Sequence, residues 1–135
     1  MPLTRDETRG SGLAVAVDLV NTWDELHLYH ADSPLGPWTP HRRNPVKSDV
    51  RSSRPAGRLY RQADGLYRPA QDCSQRYGHS LVLNRVTRID PDQYSEVEVS
   101  RILPGWEESV LATHTCNRLD DLTVLDCLLR RRRFL

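Results

Sequence analysis

Hydrophobic and polar residues alternate in several short stretches of this chain, and alternation with a period of two is typical of half-buried β-strands. In DELHLYHA, Leu26 and Leu28 fall on one face while His27 and Tyr29 fall on the other. Apart from an ambiguous DLTVLDCLL, no segment longer than about ten residues has the 3.6-residue apolar period of a helix. The pattern therefore predicts a predominantly antiparallel β protein.

Further strands are predicted on both sides of this stretch. LAVAVDLV is consistent with a short helix or a strand, and its valines favour the strand; order is expected to begin there. YGHSLVLNRVTRID predicts a strand with Leu81 and Leu83 on one face. SVLATHTCN and LTVLDCLLRRRRF are predicted to form a last pair around a turn at residues 117–121.

QYSEVEVSRIL predicts another alternating strand. Val97 and Val99 are expected to face inward, and Glu96 and Glu98 to lie together on the opposite face. Two carboxylates on one strand face, about 7 Å apart, have a spacing that suits a paired-carboxylate hydrolase. The favoured alternative is that both glutamates are solvated, because exposed strand faces routinely carry such residues.

Turns are marked by proline and glycine. AGRLYRQADGLYRPAQ predicts a hairpin with its turn at residues 63–65, because Asp-Gly suits the positive φ that such turns require. In LYHADSPLGPWTPHRRNPV, prolines at 34, 37, 40 and 45 exclude a helix. This stretch is expected to form a tight corner with Trp38 packed beneath it.

Length, net charge and cysteine content indicate the number of domains, the partners and the location of the protein. The chain has 135 residues, enough for one domain, and we expect residues 1–12 to be a disordered lead-in to a domain at 13–135. A net charge of +1 creates no basic field for nucleic acid or a membrane surface, so neither is expected as a partner. Three cysteines without CxxC spacing and the absence of an apolar leader predict a reducing, cytoplasmic location.

Five segments carry a family resemblance: ADSPLGPW, NPV, RPAGRLY, DGLYRPAQDCSQRYG and HTCNRLDDLTVLD. Together they resemble the N-terminal domain of glucosamine inositolphosphorylceramide transferases, a five-bladed β-propeller similar to those of glycoside hydrolase family 43. The likeness runs from about Asp24 to the C-terminus. A blade takes about 40–50 residues, so the resemblance implies a partial propeller of two to three antiparallel blades.

The chain departs from the family pattern in two respects. It has Asp126-Cys127 where the family is expected to have Asp-Gly. The upstream blades, in which a related glycosidase would place its first catalytic carboxylate, are expected to be missing. An unassisted glycosidase is therefore not the favoured reading.

The resemblance implies that polar residues of the matched motifs bind the ligand. Arg54 or Arg68 would hold a phosphate bidentately, and Asp72 would act as a base or accept hydrogen bonds from sugar hydroxyls. A structural role for Asp72, accepting backbone N–H bonds at a corner, is an equal alternative. His114 alone has no ligand set, so no metal site or cofactor is expected. The candidate ligand-binding residues are Asp49, Arg54, Arg68, Gln71, Asp72, Tyr77 and His114.

Three functions are consistent with these features. The first is a carbohydrate- or sugar-phosphate-binding propeller module that is not catalytic alone. The second is a glycosidase or glycosyl-transfer enzyme completed by self-association, with Asp72, Glu96 or Glu98 as candidate catalytic residues. The third is a structural or interaction remnant of a split gene. Exposed sheet edges favour association, so a homo-oligomer or a partner carrying the missing blades is expected.

Overall fold

The computed structural model describes residues 4–6, 12–17, 23–62 and 64–131, which contain thirteen β-strands and no helix. This confirms the predicted all-β class. In chain order the strands are β1 (Thr4–Asp6), β2 (Gly12–Val17), β3 (Glu25–Ala31), β4 (Thr39–Pro40), β5 (Lys47–Ser48), β6 (Tyr60–Gln62), β7 (Gly65–Asp72), β8 (Ser80–Ile89), β9 (Tyr94–Ile102), β10 (Val110–Ala112), β11 (Cys116–Leu119), β12 (Leu122–Leu125) and β13 (Leu128–Leu129).

The described strands form four antiparallel sheets. The first has the order β1-β2-β3-β4, and β5 also pairs with β3. The second has the order β6-β7-β8-β9, and the remaining strands form the pairs β10-β13 and β11-β12. Consecutive strands are mostly neighbours, as expected where short turns connect antiparallel strands.

The N-terminal region contains two short strands. Thr4–Asp6 pairs with β2, and the predicted division into a lead-in at residues 1–12 and a domain at 13–135 stays a prediction. The predicted strand in LAVAVDLV is present as β2. Residues 1–3, 7–11 and 18–22 lie outside the described part of the chain, and so does Ala63 in the predicted hairpin turn.

The proline-rich corner follows β3, whose Leu26 and Leu28 are buried as predicted. Gly36 has φ +84°, and a Cβ built on it would lie 3.1 Å from Cδ1 of Trp38. Trp38 therefore packs against the corner, but it is half-buried and not enclosed beneath it. Leu35, at the tip, is 97% exposed.

One face of the four-stranded sheet has buried charged and polar residues among its apolar ones and packs against the loop that follows β5. Arg68 pairs across the sheet with Asn84, and Val86 pairs with Glu96, so these side chains share a face. The guanidinium of Arg68 donates to the backbone oxygens of Ser52 and Ser53 at 2.6 and 3.2 Å.

The prediction of which side chains of β9 are buried is wrong. Glu96, expected in solvent, has a side chain that is 4% exposed, whereas Val97 and Val99 are 48% and 47% exposed. Glu98 is 42% exposed, as the solvated alternative expected. Burial of Glu96 is possible because Arg68 lies beside it, and neighbouring charges are not visible in a binary pattern.

A small apolar cluster lies on the opposite face of the sheet. Leu81 packs there with Ala56, Cys116 and the half-buried Ile102. Gly57 has φ +159°, and a Cβ on it would lie 2.0 Å from the carbonyl oxygen of Cys116. The backbone at residues 56–57 therefore lies directly against β11.

Both predicted hairpins are present. β6 pairs with β7, with Gln62 opposite Gly65, but Gly65 does not have the positive φ that was predicted. β11 pairs with β12 around Asp120, which has φ 51°.

The three cysteines are all thiols. Cys73 and Cys116 are buried, and Cys127 is exposed. Burial raises the pKa of Cys116. In the described residues we find no helix that could span a bilayer.

Candidate functional site

Four loops bring Trp23, Arg54, Tyr77 and His114 together at one end of the sheets, and we call these residues the aromatic cluster. Trp23 lies two residues before the start of β3, and Arg54 lies in the loop after β5. Tyr77 lies in the β7–β8 loop, and His114 lies between β10 and β11. Loops placed at the end of a rigid sheet are common positions for binding residues.

Tyr77 is at the centre of the cluster. Its ring centroid is 5.5 Å from that of Trp23, with 52° between the planes, and 6.0 Å from that of His114 in an edge-on arrangement. Cζ of Arg54 lies over the same ring at 4.9 Å, and Nη2 of Arg54 donates to the Tyr77 hydroxyl at 3.5 Å. Trp23, Tyr77 and the His114 side chain are 41%, 45% and 42% exposed, so all three rings have accessible surface.

A close backbone approach fixes the Tyr77 loop. Gly78 has φ +62°, and a Cβ built on it would lie 2.6 Å from Cβ of His114. Only glycine suits both the left-handed backbone and this separation. Nε2 of Gln71 donates to the His114 carbonyl oxygen at 3.0 Å, and Arg76 donates to the carbonyl oxygen of Leu111.

Asp126 holds the His114 segment from the other side. Its Oδ1 accepts hydrogen bonds from the backbone N–H groups of His114 and Thr115, at 2.9 and 2.8 Å. Its Oδ2 lies against Nδ1 of His114. A carboxylate that accepts two backbone N–H bonds fixes a loop firmly, and its contact with the imidazole also orients the ring.

The arrangement combines flat apolar surface with hydrogen-bond donors. Aromatic rings offer apolar faces that suit the C–H face of a sugar ring, and a guanidinium donates to phosphate or carboxylate oxygens. The four side chains therefore have the chemistry to bind a polyhydroxylated ring, including one with an anionic substituent.

Arg68, a predicted ligand residue, lies elsewhere. It is 1% exposed, and its Nε and Nη2 donate to Oε2 and Oε1 of Glu96 at 2.7 and 2.6 Å. Nζ of Lys47 donates to Oε1 of Glu96 at 2.6 Å, and the Tyr94 hydroxyl donates to Oε2. The guanidinium of Arg68 is thus used inside the protein and presents no surface to a ligand in this structure.

The environment of Glu96 keeps the carboxylate ionised. Burial acts to raise its pKa, but the hydrogen bonds and charges of Arg68 and Lys47 outweigh burial and lower it. A general acid at neutral pH needs a raised pKa instead. Burial also raises the pKa of Tyr94, so its hydroxyl remains a donor to Glu96.

Asp72 lies at the end of β7 in a corner. Its Oδ1 accepts from N and Oγ of Ser74 at 2.9 and 2.6 Å, and Nη1 of Arg101 donates to Oδ2 at 2.5 Å. Burial acts to raise the pKa of Asp72, but these partners outweigh it and lower the pKa. This geometry matches the structural alternative considered for Asp72.

Asp49 and Gln71 are the remaining predicted ligand residues. Asp49 accepts from N and Nε of Arg51, both at 3.0 Å, and lies in the turn before Ser52. Gln71 holds the His114 segment through the hydrogen bond from its Nε2 to the His114 carbonyl oxygen. Of the predicted ligand residues, the structure brings Arg54, Tyr77 and His114 into one exposed cluster.

The sequence prediction missed two residues of this region. Trp23 was not predicted, although an aromatic residue next to polar Thr22 and Asp24, outside any alternating run, was an available signal. Asp126 was noted only as a departure from a family pattern. Among the described residues no group of three metal-ligating side chains lies together.

Comparison with known proteins shows the family of this chain. The family described as "Glucosamine inositolphosphorylceramide transferase 1, N-terminal" matches residues 14–124, which is well over half of the sequence. The chain belongs to this family. The match includes every residue of the aromatic cluster and stops just before Asp126.

Curated relatives have the same name. Glucosamine inositolphosphorylceramide transferase 1 of Oryza sativa subsp. japonica is 40% identical over 78 residues, which are 56% of this chain and 10% of that protein. The Arabidopsis thaliana protein of that name is 36% identical over 77 residues, with the same coverage. The aligned part is thus about a tenth of these relatives. No solved structure gives a significant match.

Proposed function

We propose that this chain is a carbohydrate- or sugar-phosphate-binding module that is not catalytic by itself. The aromatic cluster carries the proposal, because it is an exposed group of three rings and a guanidinium held in place by Gly78 and Asp126. The family relationship supports a glycan-related role. The names of the relatives combine an amino sugar with an inositol phosphate lipid.

The binding mode follows from the two kinds of side chain in the cluster. A sugar or inositol ring would lie against the exposed surfaces of Trp23 and Tyr77. An attached phosphate would accept hydrogen bonds from Arg54, whose position over Tyr77 keeps the guanidinium at the edge of that surface. Hydrogen bonds to a charged group contribute about 1.5–3 kcal/mol each.

A propeller-like arrangement is part of the proposal. The sheet β6-β7-β8-β9 has four antiparallel strands, the size of one propeller blade. The sheet that contains β1–β5 would be a second blade, and β10–β13 would begin a third. The aromatic cluster would then lie where loops of successive blades meet.

Isothermal titration calorimetry tests the proposal with three probes: glucosamine, myo-inositol 1-phosphate and inorganic phosphate. We expect Tyr77→Ala to weaken binding of both ring-containing probes by about tenfold, which corresponds to roughly 1.4 kcal/mol. Arg54→Ala is expected to weaken the inositol phosphate by about 10- to 100-fold and glucosamine much less. Neither variant should lose its cooperative thermal transition.

Two matched variants serve as controls. Arg51→Ala removes another arginine from the same loop, paired with Asp49, and should leave inositol phosphate binding unchanged. Trp106→Ala removes an aromatic residue that is 51% exposed in the β9–β10 loop. If no probe binds the wild-type chain, or if the controls weaken binding as much as the cluster variants do, the proposed site is wrong.

Catalysis is tested separately with chromogenic arabinosides, xylosides and fructosides. The lowered pKa values of Asp72 and Glu96 and their occupied oxygens support a structural role, so we expect no turnover. Turnover by the wild-type chain that is abolished in Asp72→Asn would contradict a purely binding function and favour the enzymatic alternative.

A further inference from the structure

The hairpin of β11 and β12 exposes an apolar surface. Within the described residues these two strands pair only with each other, with Asn117 opposite Val124 and Leu119 opposite Leu122. Directly opposed residues lie on the same face of a hairpin. On this face Leu119, Leu122 and Val124 are 61%, 65% and 56% exposed. We call Asn117, Leu119, Leu122 and Val124 the hairpin face.

The hairpin face forms part of a groove. With the side chains of Arg58 and Arg118 it lines a surface cavity of about 250 Å³. Contiguous exposed aliphatic residues are unusual on a monomeric protein and commonly mark an interaction surface. This groove is separate from the aromatic cluster in the residues that form it.

The two ends of the hairpin face have opposite charge. At the base, the backbone N–H of Arg58 donates to Oδ1 of Asn117 at 3.1 Å, which places Arg58 beside the first residue pair. At the tip, Asp120 and Asp121 form the turn, and both are exposed. Nε of Arg118 donates to the carbonyl oxygen of Asp120 at 3.2 Å, so the tip has one guanidinium beside two carboxylates and remains net acidic, whereas the base has a cation.

We infer that the hairpin face binds the same face of a second copy of this chain. Two copies related by a two-fold axis that lies in the plane of the interface and runs perpendicular to the strands would pack face to face and antiparallel, because such an interface uses the same patch on both subunits. Each acidic tip then lies against the partner's Arg58, and the leucines and valines are buried between the copies. The opposite charges at the two ends of one short face make the surface complementary to itself.

Close contacts below the hairpin keep its base in position. The backbone N–H of Cys116 donates to the carbonyl oxygen of Ala56 at 2.8 Å, and the backbone of Gly57 lies against Cys116. Arg58 therefore moves together with β11. A surface that is already ordered loses less conformational entropy on association than a mobile one.

Sedimentation velocity tests self-association of the full chain. We expect a reversible monomer–dimer equilibrium for the wild type. Leu122→Glu should raise the dimer dissociation constant at least tenfold. Its melting temperature should equal that of the wild type when both are measured at concentrations at which the wild type is monomeric, because the side chain is exposed in the monomer. Leu35→Glu is the matched control: Leu35 is 97% exposed in the corner after β3, and this variant should dimerise like the wild type.

A charge exchange tests the antiparallel orientation. Arg58→Glu and Asp121→Arg each place like charges at both ends of a homodimer, so each variant alone should be monomeric. Mixing the two variants restores an attractive pair at both ends, and a heterodimer should form. Thermal melting of each variant confirms that loss of dimer does not reflect unfolding.

Three results would overturn the inference. The first is a wild-type chain that remains monomeric at its highest soluble concentration. The second is a dimer that Leu122→Glu leaves intact, which would assign association to another surface. The third is a mixture of Arg58→Glu and Asp121→Arg that fails to associate although the wild type does.

Discussion

Arg68 and Glu96 form a bidentate ion pair inside the four-stranded sheet, with Nε to Oε2 at 2.7 Å and Nη2 to Oε1 at 2.6 Å. Their side chains are 1% and 4% exposed. Burial of a charge is unfavourable unless the charge is paired and hydrogen-bonded. The two residues therefore depend on each other, and the loop at Ser52 and Ser53 depends on Arg68 for its hydrogen bonds.

Removing the negative charge should destabilise the protein strongly. We expect Glu96→Gln to lower the free energy of unfolding by roughly 3–5 kcal/mol, because it leaves the buried Arg68 cation without its carboxylate. Urea denaturation followed by circular dichroism measures this value. Glu98→Gln on the same strand is the control: Glu98 is 42% exposed, so its loss should cost less than about 1 kcal/mol. Equal effects of the two substitutions would contradict the assigned role.

Stability should decrease at acidic pH. The pKa of Glu96 in the folded protein is below the ordinary value of 4.5, and that of Asp72 is below 3.8. A lowered folded-state pKa means that the unfolded chain binds protons first, so this contribution is complete above the ordinary values and is lost as pH falls through the lowered ones. We expect a constant melting temperature from neutral pH to about pH 5 and a progressive decrease below about pH 4.

The acid sensitivity can be assigned to one residue. In Glu96→Gln the carboxylate is absent, so the melting temperature should start lower and fall less steeply between about pH 4 and pH 2 than in the wild type. Glu98→Gln should retain the wild-type slope. A slope that Glu96→Gln leaves unchanged would show that other carboxylates determine the acid transition.

Gly78 should not tolerate a side chain. In Gly78→Ala the left-handed backbone costs about 1–2 kcal/mol, and the new Cβ would overlap with Cβ of His114. We expect a lower melting temperature together with weaker binding of myo-inositol 1-phosphate, because the Tyr77 loop must move. Gly65→Ala is the control, since Gly65 has no positive φ and a Cβ built on it would lie close only to the flexible side chain of Arg85, at 3.3 Å from Cδ. A Gly78→Ala variant as stable as the wild type would contradict this account.

The cysteines should differ in reactivity. Cys127 is exposed, whereas Cys73 and Cys116 are buried and burial raises the pKa of Cys116. Because thiolates react with disulfide reagents, one thiol per chain should react rapidly in the native protein and three should react in denaturant. In Cys127→Ser the rapid phase should disappear. If it remains, one of the other thiols is more accessible than the structure indicates.

Local sequence patterns were sufficient for several strands and both hairpins, but not for β4 and β5, which lie in or next to the stretch predicted as a corner. The alternation of Leu26 and Leu28 predicted β3, because a strand with one buried face repeats every two residues. The hairpin of β6 and β7 and the last pair around residues 117–121 were predicted from turn residues and flanking apolar runs. These elements are determined by residues that are close in sequence, so the local pattern contains the information that specifies them.

Tertiary contacts decided which side chains are buried and which residues meet. Glu96 is buried, and Val97 and Val99 are exposed, because Arg68 lies 28 residues earlier in the chain and compensates the carboxylate. Arg54, Tyr77 and His114 were predicted as separate candidates from family motifs, whereas Trp23 and Asp126 were not predicted. Their proximity arises from loops at the ends of different sheets, and the backbone path that joins such loops depends on packing that no local pattern records.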